Sequence, residues 1–182
     1  MESRKILVVV DLQRDFIDGS LCAPDAPGIL PAIQRVKNDF DQVYFTLDWH
    51  PLNHCSFKQN GGPWPVHCVH HTQGATIPDS ILSGMDENKI TFILKGQDPQ
   101  LEEYGAFQNS DNKEQALFRS GDIVTVCGLV SEYCVLETLK NIYGLALMNN
   151  FSVNVFLDGI ASLQSFDTLK AFMEEKGIPE YK

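Results

Sequence analysis

"KILVVVDLQRDF", residues 5–16, is the stretch that decides the fold. Its first six residues form a short, β-branched apolar run, which is typical of a strand buried on both faces of a sheet. The run stops at Asp11, so a carboxylate stands where the strand ends. In α/β sheets, ligands bind outside the carboxyl ends of the strands. Asp11 is therefore a candidate functional residue.

Four later runs have the same character and alternate with helical patterns. The runs are "QVYFTL" (42–47), "KITFIL" (89–94), "DIVTVCGL" (122–129) and "SVNVFL" (152–157). Apolar residues recur at helical spacing in 28–40, 135–146 and 166–173. The alternation predicts an α/β fold: a doubly wound, Rossmann-like three-layer sandwich with a mainly parallel central sheet, in one domain over 1–182. The segment 50–88 lacks periodicity and is interpreted as a functional excursion from that domain.

Composition excludes several classes of protein. With 182 residues and a net charge of -10, the chain is not expected to bind nucleic acid or an anionic membrane surface. Five cysteines without a CxxC pair do not predict a disulfide framework, and the apolar runs are too short for a signal peptide or a membrane span. The expected location is the cytoplasm, with the thiols reduced.

Reactive side chains follow four of the predicted strands. Asp11 follows the first, Asp48 and His50 follow the second, Lys95 follows the third, and the fourth leads to Cys134. Because parallel strands bring their carboxyl ends to one edge of the sheet, we expect these side chains to converge.

The segment "TLDWHPLNHCSF" (46–57) indicates a metal site. Asp48 and His50 are two residues apart and would project from the same side of a continuing strand. A third ligand would come from His54 or from His67, and an isolated Asp-x-His pair would instead be a solvated loop. Mixed carboxylate and imidazole ligands suit zinc, iron or manganese. Cys55 and Cys68 are expected to pack beside the site, and His70 and His71 to lie at the surface or behind the ligands.

Cys134 lies in "CGLVSEYCVLETLK" (127–140), where a strand gives way to a helix. A helix N-terminus favours a thiolate and offers free backbone N–H groups for an oxyanion. Cys134 could be paired with a histidine of the metal segment, or form a triad in which Asp11 accepts the thiol proton and Lys95 balances the charge. Each residue also has a structural alternative: Asp11 could cap a turn, Lys95 could be a solvated strand end, and Cys134 could be a buried core cysteine. A buried core cysteine is our interpretation of Cys127.

Five blocks together resemble a known family. They are "VVVDLQRDF" (8–16), "TLDWHPLNHCSF" (46–57), "WPVHCVHHTQGA" (64–75), "LKGQDPQLEEYGAF" (94–107) and "VCGLVSEYCV" (126–135). In content and order they resemble the nicotinamidases of the isochorismatase-like cysteine hydrolase superfamily.

The resemblance implies a role for each matching residue. Asp11, Lys95 and Cys134 would be the catalytic triad, with the backbone N–H groups of Val130 and Cys134 as oxyanion donors beside a cis peptide at 129–130. The remaining implied residues are the metal ligands Asp48, His50 and His67, the aromatic walls Phe16 and Trp64, and His54 as a neighbour outside the ligand set. Zinc is the first choice of metal, with iron and manganese as alternatives.

The implied activity is hydrolysis of nicotinamide to nicotinate and ammonia through a cysteine thioester, with pyrazinamide as a second substrate. Relatives form several assemblies, so a homo-oligomer is an open expectation. One alternative is another cysteine amidase of the superfamily, acting on a carbamoyl or ureido compound without a metal. A second alternative is a metal-binding scaffold without catalysis.

Overall fold

A five-stranded sheet lies at the centre of the computed structural model, which describes residues 3–108 and 116–182. The strands are β1 Lys5–Val10, β2 Gln42–Asp48, β3 Ile90–Lys95, β4 Ile123–Gly128 and β5 Ser152–Ile160. Their spatial order is β3-β2-β1-β4-β5, and every neighbouring pair is parallel. The predicted doubly wound α/β fold is confirmed.

The helices connect the strands and cover the sheet. They are α1 Arg14–Ile17, α2 Ala26–Val36, α3 Asp79–Leu82, α4 Leu136–Asn149 and α5 Asp167–Lys176, and a π-helical turn, Ser131–Val135, leads directly into α4. The apolar side chains of β1 from Ile6 to Val10 have no exposed surface, as expected when both faces of a sheet are covered. The predicted helical stripe of α4 also faces the core, since Leu139 and Ile142 are fully buried.

The strand order reverses next to β1. The chain builds β1, β2 and β3 in one direction across the sheet and then returns to place β4 on the other side of β1. Such a reversal leaves a crevice at the carboxyl ends of the two strands where it occurs, and ligands bind there. Asp11 and the turn that carries Cys134 follow these two strands, and Asp48 and Lys95 end the adjoining strands β2 and β3 at the same edge of the sheet.

The segment 50–88 is irregular, as predicted. It contains α3 and short 3₁₀ turns at Lys58–Asn60 and Gln73–Ala75, and a third turn, Glu87–Lys89, leads from it into β3. A parallel bridge between His50 and Val69 returns the segment to the end of β2. This path places His67 beside Asp48. No helix among the described residues has both the length and the hydropathy needed to cross a bilayer.

Gly128 allows β4 to end tightly against β1. Its φ is +120°, and an added Cβ would lie 2.1 Å from the carbonyl oxygen of Val10. A side chain at this position would therefore require positive φ and displacement of a buried strand. The close approach brings the turn after β4 next to Asp11.

We expect Gly128→Ala to lower the free energy of unfolding by about 3–5 kcal/mol, because the methyl group meets backbone in a strained conformation. The matched control is Gly144→Ala inside α4, where an added Cβ meets nothing within 4 Å. That change should stabilise the protein by about 0.5–1 kcal/mol through helix propensity. Denaturant unfolding of the three proteins measures both effects, and equal stability of the two variants would contradict the prediction.

Candidate active site

The strand ends bring the predicted reactive side chains into one buried cluster. Asp48 and Lys95 are register partners at the ends of β2 and β3. Asp11 follows β1, and Cys134 lies in the π-helical turn after β4. All four residues are buried. These four side chains therefore converge at one edge of the sheet, as expected from the sequence.

Lys95 lies at the centre of this cluster. Its Nζ is 2.8 Å from Asp11 Oδ2 and 3.6 Å from Cys134 Sγ, and it donates a hydrogen bond to Asp48 Oδ1. The carbonyl oxygen of Glu103 accepts a further bond at 3.2 Å. One ammonium group therefore contacts both carboxylates and the thiol, so Lys95 is not a solvated strand end.

Asp11 is held with one oxygen left available. Its Oδ1 accepts a 2.7 Å hydrogen bond from Thr46 Oγ1, and its backbone N–H donates to the Thr46 carbonyl at 3.0 Å. Asp11 has φ +46°, an unusual conformation for a non-glycine residue that is common at functional sites. Among the described residues Oδ2 accepts no hydrogen bond of good geometry, although it is paired in charge with Lys95. This oxygen can receive a proton.

The two carboxylates differ in acidity because they share a single cation. Burial raises the pKa of Asp11 above its ordinary value, and the nearby Asp48 charge adds to this effect. Burial also acts on Asp48, but Lys95 and His50 outweigh it and lower its pKa. Lys95 stays charged, since the two carboxylates raise its pKa despite burial. Asp11 is therefore the member of the pair that can take up a proton.

The thiol of Cys134 rests in its protonated form. Burial raises its pKa, and the positive charge of Lys95 does not compensate for this. Sγ lies near the Asp11 carboxylate: this sulfur, one carboxylate oxygen of Asp11 and one of Asp48 all lie within 4.8 Å of one another. Attack by this sulfur thus requires a base beside it, which Asp11 can provide. The ammonium group of Lys95 lies among these three groups. We therefore interpret the cluster as a candidate Asp–Lys–Cys triad with Asp48 as its neighbour, and not as a second metal site.

Backbone donors stand beside the thiol. The Leu129–Val130 peptide is cis, as the resemblance implied. Among the described residues the N–H of Val130 donates no hydrogen bond, whereas its carbonyl accepts from the N–H groups of Tyr133 and Val135. The first N–H groups of a helix lack intrahelical acceptors, and Cys134 lies in such a turn. Both positions suit an oxyanion.

Asp48, His50 and His67 offer a compact set of metal ligands. Asp48 Oδ2 is 3.5 Å from His50 Nε2 and 3.8 Å from His67 Nε2. These separations are long for hydrogen bonds, but donor atoms about 2 Å from a shared ion lie roughly 3–4 Å apart. The set therefore fits a divalent cation, and it contains His67, one of the two histidines that the sequence offered as a third ligand.

Hydrogen bonds fix the tautomers of both histidines. His50 Nδ1 is 2.9 Å from the carbonyl oxygen of Gly96, and His67 Nδ1 is 2.8 Å from that of Pro65. Because a carbonyl oxygen only accepts, each Nδ1 must carry the hydrogen, and each Nε2 keeps a free lone pair directed towards Asp48. Outer hydrogen bonds of this kind are the usual support for ligating histidines.

The charges of the cluster also fit a cation. Burial lowers the pKa of His67, which keeps its imidazole in the neutral, ligating form. Burial opposes protonation of His50 as well, yet the close, negatively charged carboxylate of Asp48 raises its pKa. The carboxylate of Asp48 therefore attracts positive charge on its Oδ2 side, as a metal ligand would.

Gly96 is required at the position that supports His50. It has φ +64°, and an added Cβ would lie 2.4 Å from the imidazole carbon Cε1 of His50. Glu103 fixes the same turn, because its carboxylate accepts a 2.9 Å bond from the Gly96 N–H. The turn after β3 thus positions Lys95 and one histidine at once.

His54 is not part of the compact group formed by Asp48, His50 and His67. Its Nδ1 is 2.7 Å from Ser56 Oγ and its Nε2 is 3.0 Å from the carbonyl oxygen of Leu101, so both nitrogens have other partners. Its ring packs beside that of His50, with centroids 4.1 Å apart. His54 therefore supports a histidine of the cluster from behind. Cys55 and Cys68 are free thiols, and the carbonyl of the buried Cys68 accepts a 3.0 Å bond from the N–H of His50.

A pocket of about 320 Å³ opens over the cluster, a volume that includes space open to solvent. Cys134, Asp48 and His67 line its floor together with the aromatic residues Phe16, Trp64 and Tyr133. The predicted walls Phe16 and Trp64 thus share one cavity with Cys134 and two of the candidate ligands.

Several residues of the site were not found from the sequence. Tyr104 lies in the pocket wall, where its hydroxyl oxygen accepts a 3.0 Å bond from Trp64 Nε1. Gln13 is fully buried, and its side chain bonds to both the N–H and the carbonyl of Asp48 at 2.8 Å. A polar side chain two residues after Asp11 was the available signal for Gln13, but its partner is distant in the chain.

The family model described as "Isochorismatase domain" matches residues 5–175 of the chain. Among curated proteins, the chain is similar to a nicotinamidase of Saccharomyces cerevisiae at 31% identity, over 74% of this chain and 79% of that protein.

Solved structures agree with this result. The pyrazinamidase of Pyrococcus horikoshii in complex with zinc aligns with a TM-score of 0.80 and 32% identity, covering 98% of this chain and 99% of the other. PnC1 from L. infantum in complex with nicotinate aligns with a TM-score of 0.83 and 31% identity, covering 99% and 93%.

We expect His67→Ala to weaken binding of a divalent metal by about 100-fold or more, because loss of one ligand should exceed the loss of an outer hydrogen bond. The control is His71→Asn: His71 is exposed at φ +63°, a conformation that asparagine tolerates. Metal analysis after equilibration with zinc and dialysis measures both variants. Equal metal content in the two would refute the assignment of His67.

Proposed function

We propose that this chain, which belongs to the isochorismatase family, is a nicotinamidase that hydrolyses nicotinamide to nicotinate and ammonia. The observation that carries the proposal is the single pocket that contains an Asp–Lys–Cys cluster, a metal-ligand set and aromatic walls. A flat heteroaromatic amide needs apolar faces and a few fixed polar groups, and this pocket provides both. Pyrazinamide has the same layout and is proposed as a second substrate.

The first half of the reaction is formation of a thioester on Cys134. Asp11 accepts the thiol proton through Oδ2 as Sγ attacks the carboxamide carbon. The backbone N–H groups of Val130 and Cys134 donate hydrogen bonds to the developing oxyanion. Asp11 then gives the proton to the departing ammonia. Lys95 keeps the negative charge of the cluster balanced throughout.

The second half is hydrolysis of the thioester. Asp11, now ionised again, removes a proton from a water molecule that attacks the same carbon. The tetrahedral oxyanion uses the same backbone donors, and collapse expels the sulfur of Cys134, which recovers its proton from Asp11. The carboxylic acid product releases its remaining proton to solvent and leaves as nicotinate, and the cluster returns to its resting protonation.

Asp48, His50 and His67 are proposed to hold a divalent metal, with zinc as the first choice. When bound, this ion supplies a Lewis acid for the ring nitrogen of the substrate, which orients the carboxamide. The phenyl ring of Phe16 lies against His67, with centroids 5.4 Å apart, so an apolar wall stands beside a ligand.

The remaining proposals concern the protein as a whole. Residues 1–182 are proposed to form one domain, and its free cysteines suit the reducing cytoplasm. A homo-oligomer remains a proposal for the assembly. The alternative amidase acting on a carbamoyl compound would not need the histidines or the aromatic pocket, and the scaffold alternative would not need the buried triad.

The metal-loaded protein should release ammonia from nicotinamide and from pyrazinamide. Benzamide has the same shape without a ring nitrogen, so its kcat/KM should be lower by at least about 100-fold. An ammonia-release assay with the three amides measures this. Absence of turnover with nicotinamide would refute the proposed function, and equal rates with benzamide would refute the use of the ring nitrogen.

Cys134→Ala should abolish turnover while leaving metal content unchanged, because the nucleophile is lost and the ligands remain. The matched control is Cys22→Ala, which removes an exposed thiol and should retain full activity. Ammonia release above background by the first variant would show that another group is the nucleophile.

Asp11→Asn should lower kcat by about 10²–10⁴, because the amide cannot accept the thiol proton. Asp18→Asn, at an exposed carboxylate that pairs only weakly with Arg14, serves as the control and should leave kcat unchanged. Steady-state kinetics with nicotinamide measures both, and a comparable kcat for the two variants would exclude Asp11 as the base.

A further inference from the structure

Glu132 connects the turn that carries Cys134 to the segment after β5. It lies two residues before Cys134, and its carboxylate accepts hydrogen bonds from three successive backbone N–H groups. Oε2 accepts from Leu163 at 3.1 Å, and Oε1 accepts from Gln164 at 2.5 Å and from Ser165 at 3.0 Å. A single side chain thus binds the whole of residues 163–165, here called the β5 wall segment.

Ser131 reinforces the same connection. Its N–H donates to the carbonyl of Ala161 at 3.0 Å, and its hydroxyl donates to the carbonyl of Ser165 at 3.0 Å. Burial would raise the pKa of Glu132, but the backbone N–H groups, led by that of Gln164, lower it below the ordinary value. The carboxylate is therefore ionised, and hydrogen bonds to an ionised acceptor are the stronger kind.

The β5 wall segment forms part of the pocket. Leu163 lines the same cavity as Cys134, Trp64 and Tyr133. The nucleophile and this wall thus come from different parts of the chain, and the carboxylate of Glu132 bonds to the wall from the turn that carries the thiol. Glu132 itself does not line the pocket, so any effect on the reaction must pass through the segment that it holds.

We propose that Glu132 is a positioning residue that fixes the β5 wall segment beside Cys134 and thereby limits the size of the carboxamides that reach the thiol. The selectivity part of this inference rests on the proposed function. Without the carboxylate, three backbone N–H groups lose their acceptor and turn towards water. The segment then moves outward with Leu163, and the pocket admits rings that carry additional groups.

The first test does not require turnover. Cys134 of the metal-loaded protein is alkylated with iodoacetamide or with N-phenylmaleimide, and modification of the Cys134 peptide is followed by mass spectrometry. In Glu132→Ala the rate ratio of the bulky to the small reagent should rise about tenfold, because lost charge-assisted hydrogen bonds free the wall. Glu137→Ala, which removes a carboxylate on α4 paired with Lys140, should leave the ratio at the wild-type value.

The second test uses substrates. The substrates are nicotinamide and its monomethyl isomers, each with a single methyl group at one of the free ring carbons. The readout is the kcat/KM of each isomer divided by that of nicotinamide. Glu132→Ala should raise this ratio for at least one isomer by about tenfold and raise KM for nicotinamide more than it lowers kcat. A residue needed only for folding would lower all rates together, and both the alkylation-rate ratio and the kcat/KM ratio would stay unchanged.

Glu132→Gln keeps one acceptor oxygen and covers the case in which the alanine variant does not fold. It should show intermediate values of both ratios. Unchanged ratios in every folded variant would overturn the inference, even if wild-type protein hydrolyses nicotinamide normally. A raised alkylation ratio in protein that never releases ammonia would support the positioning role and refute the proposed function instead.

Discussion

The buried contact of Lys95 with Asp11 and Asp48 is the interaction on which the rest of the site depends. Two buried carboxylates would be costly to ionise, and the ammonium group of Lys95 between them provides the compensating charge. Removing one partner of such a buried group typically costs about 3–5 kcal/mol, because an uncompensated charge remains. The parallel register makes the contact possible, since Asp48 and Lys95 are directly paired on β2 and β3. Asp11 then reaches the same ammonium from the adjoining β1.

Asp48 serves both halves of the site. Its Oδ1 is bonded to Lys95, and its Oδ2 faces His50 and His67. The distance between the proposed metal and the proposed nucleophile is therefore set by one small carboxylate and the strands that hold it. A substrate spanning both must be short and rigid, and a single ring with a carboxamide has that form.

The sequence predicted the residues whose position follows from the topology, and it missed those whose partners are far along the chain. Strand ends converge in a parallel sheet, so Asp11, Asp48, Lys95 and Cys134 could be expected together. Thr46, Gln13 and Glu132 act through bonds to residues 31 to 35 positions away, and no local pattern reports such pairs. The strand β5 also continues to Ile160 beyond the predicted 152–157, because a register shift lets Gly128 pair with Ile160 past the polar Asp158.

The site divides into a part fixed by the sheet and a part fixed by side chains. Lys95 and both carboxylates stand on strands or directly after them, where buried ladders determine their positions. Trp64, Tyr104 and Leu163 come from irregular segments, and individual bonds such as Trp64 to Tyr104 and Glu132 to the β5 wall segment hold them. Loops on a rigid scaffold can change without loss of the fold. The proposed chemistry of this chain is thus tied to its topology, whereas the proposed selectivity among amides depends on a few replaceable side chains around the pocket.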